Sequence, residues 1–120
     1  MSNPQIVSID QLRSLAFGSI TGTYAAVGTA LANQTRLICF TNTTDADVLV
    51  SVDGTNNYLV VPAGSFKLFD LCTNRLNSSQ SWVFQPGTQF YVKTAGAPSK
   101  GAFYIEALWG GATGATFQDL

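Results

Sequence analysis

Apolar and polar positions alternate along most of this chain in short runs broken by glycine, proline, asparagine and aspartate, which is the period of strands and turns. Leu15 to Ile20 and Tyr24 to Gly28 flank a break at Thr21-Gly22-Thr23 and predict two short strands joined by a turn. Within Arg36 to Asn42 the middle, Leu37-Ile38-Cys39-Phe40, is apolar on both faces, as expected of a central strand buried on two sides or covered by a neighbour. Val48-Leu49-Val50-Ser51-Val52 places its β-branched valines on one face, and Asp53-Gly54-Thr55-Asn56-Asn57 turns the chain.

Tyr58 to Val61 ends at Pro62-Ala63-Gly64, where proline removes a ladder donor and glycine permits a tight reversal. The next run, Ser65 to Leu71, sets Phe66 and Leu68 on the face opposite Lys67 and Phe69, so at least one of its faces meets solvent or a partner. After a polar loop from Asn74 to Ser81, extended structure resumes at Trp82-Val83-Phe84, turns at Gln85-Pro86-Gly87-Thr88 and alternates again over Gln89 to Lys93. A last strand is expected from Ala102 to Leu108. Eight or nine short strands with closely spaced turns predict an all-β fold, an antiparallel β-sandwich of jelly-roll type. Only Ile9 to Arg13 has helical spacing, enough for about one turn.

The 120 residues suit one domain. Residues 1–11 are polar and strand-poor and form an N-terminal arm, 12–109 form the sandwich, and 110–120 form a glycine-rich tail. Phe117 and Leu120 on that tail are candidate anchors for a neighbouring subunit, its backbone adding to a sheet edge. No apolar run approaches the length that crosses a bilayer, and Met1-Ser2-Asn3-Pro4-Gln5 lacks the basic and apolar regions of a secretory signal. Asn33-Gln34-Thr35, Asn42-Thr43-Thr44 and Asn77-Ser78-Ser79 match the glycosylation pattern and are expected to be ordinary turns.

Charge changes the picture most. Charged residues are 11% of the chain while hydrophobic residues are 46%, with a formal net charge of -1. No basic field exists to hold a phosphate backbone, so nucleic acid is not an expected partner. With no histidine, Ser-His and Cys-His nucleophile pairs and His-based zinc sites are excluded. So weakly charged a surface has little colloidal repulsion, and its uncharged polar groups lose less on desolvation than ions do. These terms suit a module covered by copies of itself and by neighbours better than a diffusing enzyme.

Candidate chemistry is sparse. Cys39 and Cys72 are too few for a four-cysteine zinc site and too far apart for a redox motif; they are expected to be small buried hydrophobes, with a disulfide left open. Asp45, Asp47 and Asp53 are the one acidic cluster, but it lacks the glycine and distal glutamate of a calcium loop, so turn and capping roles are expected and no metal is assigned. Asp53, Asp70 and Glu106 are the candidates for paired-carboxylate catalysis, and nothing in their spacing brings them together. Asp70, in an apolar strand, is expected to be buried and paired. No catalytic residue and no cofactor follow. Among the aromatics, Trp82, Trp109, Tyr58, Tyr91 and Tyr104 suit either a sugar-stacking platform or a subunit interface, and Trp82, Trp109, Tyr91 and Tyr104 are, with Phe117 and Leu120, the interface candidates.

The successions Leu15 to Tyr24, Thr41 to Gly54, Val61 to Leu71 and Gly87 to Lys93, with their Asp-Gly and Pro-Ala-Gly turns, resemble small virion proteins of tailed bacteriophages over roughly residues 12 to 108. The resemblance implies an all-β accessory protein of the virion, on the head or at the head-to-tail junction, and transfers no binding residues. The expectation is a non-enzymatic homo-oligomer that decorates and cements the capsid by bridging major capsid subunits. The alternatives are a neck or tail adaptor that attaches fibres, and a carbohydrate-binding module that aids adsorption.

Overall fold

The first stretch of chain pairs with the last. β1 (Gln5–Ile9) and β2 (Arg13–Ala16) both lie antiparallel against β9 (Ala102–Ala112). The computed structural model from which this follows describes residues 5–71 and 84–112. Ile9 stands opposite Leu108, the Asp10 amide donates to the Ala107 carbonyl at 2.9 Å, and Arg13 stands opposite Ile105. Gln11 and Leu12 therefore face Glu106 together, so β1 and β2 act as one strand interrupted by a β-bulge.

The remaining strands are β3 (Ala25–Ala26), β4 (Thr35–Asn42), β5 (Val48–Ser51), β6 (Leu59–Val61), β7 (Phe66–Asp70) and β8 (Tyr91–Thr94). One sheet runs β1-β9-β4-β7 with β2 also on β9; the other runs β3-β8-β5-β6. With β1 and β2 taken together, the pairs nest: first with last, β3 with β8, β4 with β7, β5 with β6, all antiparallel. That is one long hairpin rolled into two sheets, the jelly-roll order. The protein is thus an all-β sandwich, as its alternation predicts, with nine strands among the described residues.

Alternate residues of both sheets meet between them. Ile38 and Phe40 of β4, Val48 and Val50 of β5, Val92 of β8, and Phe103, Ile105 and Ala107 of β9 are buried. Phe40 joins the layers: its ring meets Phe90 edge-on at 5.1 Å and Phe69 at 5.9 Å, and stacks on Phe103 at 6.1 Å. Where the core closes against the 43–47 loop, buried Asn42 satisfies the backbone. Its Nδ2 donates to the carbonyls of Ala46 and Val61, both at 2.9 Å, and its Oδ1 accepts from the amide and hydroxyl of Thr44.

Several expectations are corrected at the ends of elements. Residues 5–9 of the expected N-terminal arm are strand β1, and the expected turn of helix at 9–13 is the bulge. The cause is Arg13, which points into the sandwich. Its Nε donates to the Thr29 carbonyl at 2.6 Å, Nη1 to Gln11 and Nη2 to Ala30, both at 3.0 Å, and its guanidinium lies 3.3 Å from the Asp10 carboxylate. These bonds hold the chain extended where local spacing favours a turn. The strand expected over 15–20 stops at Ala16 and gives way to a 3₁₀ turn, Phe17–Ser19, and the 24–28 strand shrinks to Ala25–Ala26 before Gly28 takes a positive φ of 63°. β9 continues to Ala112, past the expected boundary at 109. Among the described residues no helix is long and apolar enough to cross a membrane.

Candidate interaction surface

The residues of the first sheet that point away from the core form rows set by the strand registers. Phe66, Thr41, Tyr104 and Ser14 lie across β7, β4, β9 and β2. Next come Leu68, Cys39 and Glu106, with Leu12 of the bulge, and then Asp70, Leu37, Leu108 and Ile9. Most of these positions are apolar, and the outermost are open: Ile9 is 81% exposed, Phe66 65%, Leu12 56% and Leu68 53%. Two acids stand on this face and both are exposed, Glu106 in the middle row and Asp70 in the next. Scattered apolar residues are ordinary on a monomer's surface; a sheet face rich in them is a candidate contact surface.

The opposite outer face, on the second sheet, has the inverse charge. Lys93 of β8 stands across from Leu49 of β5, and Leu49 across from Val60 of β6, while Tyr91 stands across from Ala26. The Lys93 ammonium sits 4.7 Å over the Tyr24 ring, a cation–π contact that holds it in place. Beside these, the 52–57 loop is built around Asp53. Its Oδ1 accepts from the Thr55 and Asn56 amides at 2.8 and 2.9 Å and from the Ser51 hydroxyl at 2.8 Å, and its Oδ2 accepts from Asn56 Nδ2 at 2.9 Å and the Tyr58 hydroxyl at 3.0 Å. The Asn56 and Thr55 amides, followed by the Ser51 hydroxyl and the Asn56 side chain, hold this carboxyl far below the usual range. The Tyr24 hydroxyl donates to Asn57, and its pKa is raised by burial and then by the Asp53 charge.

Tyr91 and Tyr104, expected at an interface together, lie on opposite outer faces. Trp109 is half-buried near the end of β9, across from Ser8 and Thr35, on the side of the strand shared by Ile105 and Ala107. Trp82, Phe117 and Leu120 lie outside the described residues. Two of the tyrosines expected in a sugar platform are partly engaged already: the Tyr58 hydroxyl donates to Asp53, and Gly54 packs on the Tyr91 ring, a β-carbon built there falling 3.7 Å from it. Sequence reasoning set Phe66 and Leu68 together on one face of a strand with at least one face open to solvent or a partner, but left Ile9 in a polar arm and both Ile9 and Leu12 in a turn of helix.

The acidic residues disperse. Asp45 accepts from the amide and hydroxyl of Ser99, which with the nearby Lys100 lower its pKa, the hydroxyl most, whereas Asp47 caps the Ala63 amide at 3.0 Å. The two serve different loops, and among the described residues no group of three His, Cys, Asp or Glu side chains could hold a metal. Asp70, expected to be buried, is exposed on β7, with β4 running between it and Glu106 of β9; Asp53 lies in the 52–57 loop that follows β5 of the other sheet. Cys39 is a free thiol, half-buried on the outer face rather than in the core, with its Sγ 3.7 Å from the Thr41 hydroxyl; Cys72 lies outside the described residues.

No protein-family model matches the chain, and no curated protein matches it. Among solved structures, a chain of Bacillus endospore appendages, described as a novel family of disulfide-linked pili, is similar over 91% of this chain and 92% of its own, at 11% identity and a TM-score of 0.45.

Proposed function

We propose that the protein is a non-enzymatic structural component of a tailed-phage virion, a decoration protein that cements the head by bridging major capsid subunits. The observation that carries the reading is the outer face of the first sheet, where Ile9, Leu12, Phe66 and Leu68 remain open although the core is already closed. Sealing a face of this kind is favourable, and a chain so poor in charge has little repulsion to keep neighbours away from it. Many copies, each burying a modest area, add their free energies across a symmetric shell.

Quantifying the protein in purified particles tests this directly. On the order of hundreds of copies per particle is expected of a decoration protein; roughly a dozen would make it a neck or tail adaptor instead, as symmetry at a single vertex dictates. Its absence from the particles would overturn both.

A further inference from the structure

We infer that copies of this protein dock on one another front to back, the outer face of the first sheet of one copy against the outer face of the second sheet of the next, with Glu106 of one beside Lys93 of the other. The inference concerns the chain itself and does not rest on the assignment to a particular particle.

Both faces are largely apolar; the first carries two acids, Glu106 in its middle row and Asp70 in the next, while the second carries the base Lys93 with the Asp53 loop beside it. Glu106 lies in the middle row between Cys39 and the bulge residue Leu12, and Lys93 lies beside Leu49. Packing like face on like face about a two-fold axis brings two Glu106 carboxylates toward each other as water leaves, which penalises that arrangement. Packing unlike faces sets Lys93 of one copy against Glu106 of the other and buries the apolar residues around that pair. Lys93 is also prepared for the contact, since its ammonium is held over Tyr24 and gives up little freedom on pairing.

The geometry fixes the outcome of repeated docking. The two faces lie on opposite sides of one sandwich, so each copy that binds presents a fresh face beyond it. Such a contact is heterologous and propagates as a row or closes only as a wide ring, rather than stopping at a dimer.

Sedimentation of the full chain over a wide concentration range tests this. The wild-type average mass is expected to rise continuously with concentration. Glu106→Lys and Lys93→Glu should each weaken association by about tenfold or more, and the double charge swap should restore it. A first-face variant, Phe66→Ser with Leu68→Ser, and the second-face variant Lys93→Glu should each associate weakly alone, and at concentrations where both are monomeric should form a one-to-one pair when mixed, because each retains one intact face. Unchanged thermal midpoints of the variants establish that folding is intact, and Glu106→Gln, which removes charge without reversing it, serves as the milder variant. A wild-type chain that stays monomeric throughout, a mass that stops at the dimer, or a charge swap that fails to restore association would overturn the inference. Particle copy number bears on none of these outcomes.

Discussion

Phe40 and Phe66 occupy neighbouring rungs of the same β4–β7 ladder on opposite faces of one sheet: Phe40 pairs with Lys67, and the next rung pairs Thr41 with Phe66. The first ring is fully buried at the centre of the aromatic core and the second is largely exposed. Equal residues, one step apart, should therefore answer to different measurements. In denaturant titrations Phe40→Ala is expected to cost about 3–5 kcal/mol, and Phe66→Ser to stay within about 0.5 kcal/mol of wild type while altering association. A large stability loss at Phe66 would place it in the fold rather than in a contact.

Arg13 closes the bulge that joins β1 to β2, bonding three carbonyls from inside the sandwich. Arg13→Ala strands those acceptors and leaves Asp10 without its ion pair, and should cost about 3 kcal/mol. Arg13→Lys should recover only part of the loss, since a compact ammonium does not reproduce the planar fork. Thermal melting of the two variants checks this; equal stability for Lys and Arg would contradict the role.

The Asp53 loop should make stability acid-sensitive. Its carboxyl is held below the ordinary carboxylate range by the Asn56 and Thr55 amides, so the folded state keeps the ionised form where the unfolded chain has taken up a proton. The contribution is thus complete above about pH 4, the unfolded value, and disappears as pH falls toward the lower folded value. The Asp53→Asn midpoint should lie below wild type at neutral pH, and the gap should narrow below about pH 4. A gap independent of pH would show that the charge is not what the amides hold. Asp45, lowered chiefly by the Ser99 hydroxyl, should act in the same direction.

Gly101 permits the approach of the last strand to the 43–47 loop. It has a φ of +85°, and a β-carbon there would lie 2.3 Å from the Thr43 carbonyl oxygen. Gly101→Ala should therefore destabilise by well over about 1 kcal/mol, the strain of the backbone conformation adding to a clash with main chain. A circular-dichroism melt within a degree or two of wild type would contradict the close approach.

Strand content and turns were legible because they are local: Val48 and Val50 alternate with Leu49, and Pro62-Ala63-Gly64 reverses the chain where it should. Leu37-Ile38-Cys39-Phe40 announced a central strand, and the apolar character of its outer side was the signal for the contact surface. Ile9 and Leu12 were not legible, because their extended conformation depends on Arg13 reaching carbonyls in another loop and on pairing with β9 at the far end of the chain. Asp70 misled through its apolar neighbours, since only the sheet order makes β7 an edge strand. Likewise, alternation exposes both Tyr91 and Tyr104, but only the roll of the hairpin sends them to opposite faces.

Cys39 supplies the most direct test, because its thiol lies between Leu68 and Glu106 on the outer face of the first sheet. The labelling rate of Cys39 by a small thiol reagent, followed by peptide mass mapping, is to be compared between dilute recombinant protein and the native assembly isolated from its source. Strong protection of Cys39 in the assembly is the predicted result; equal labelling in both would contradict the claim that this face is sealed against another polypeptide.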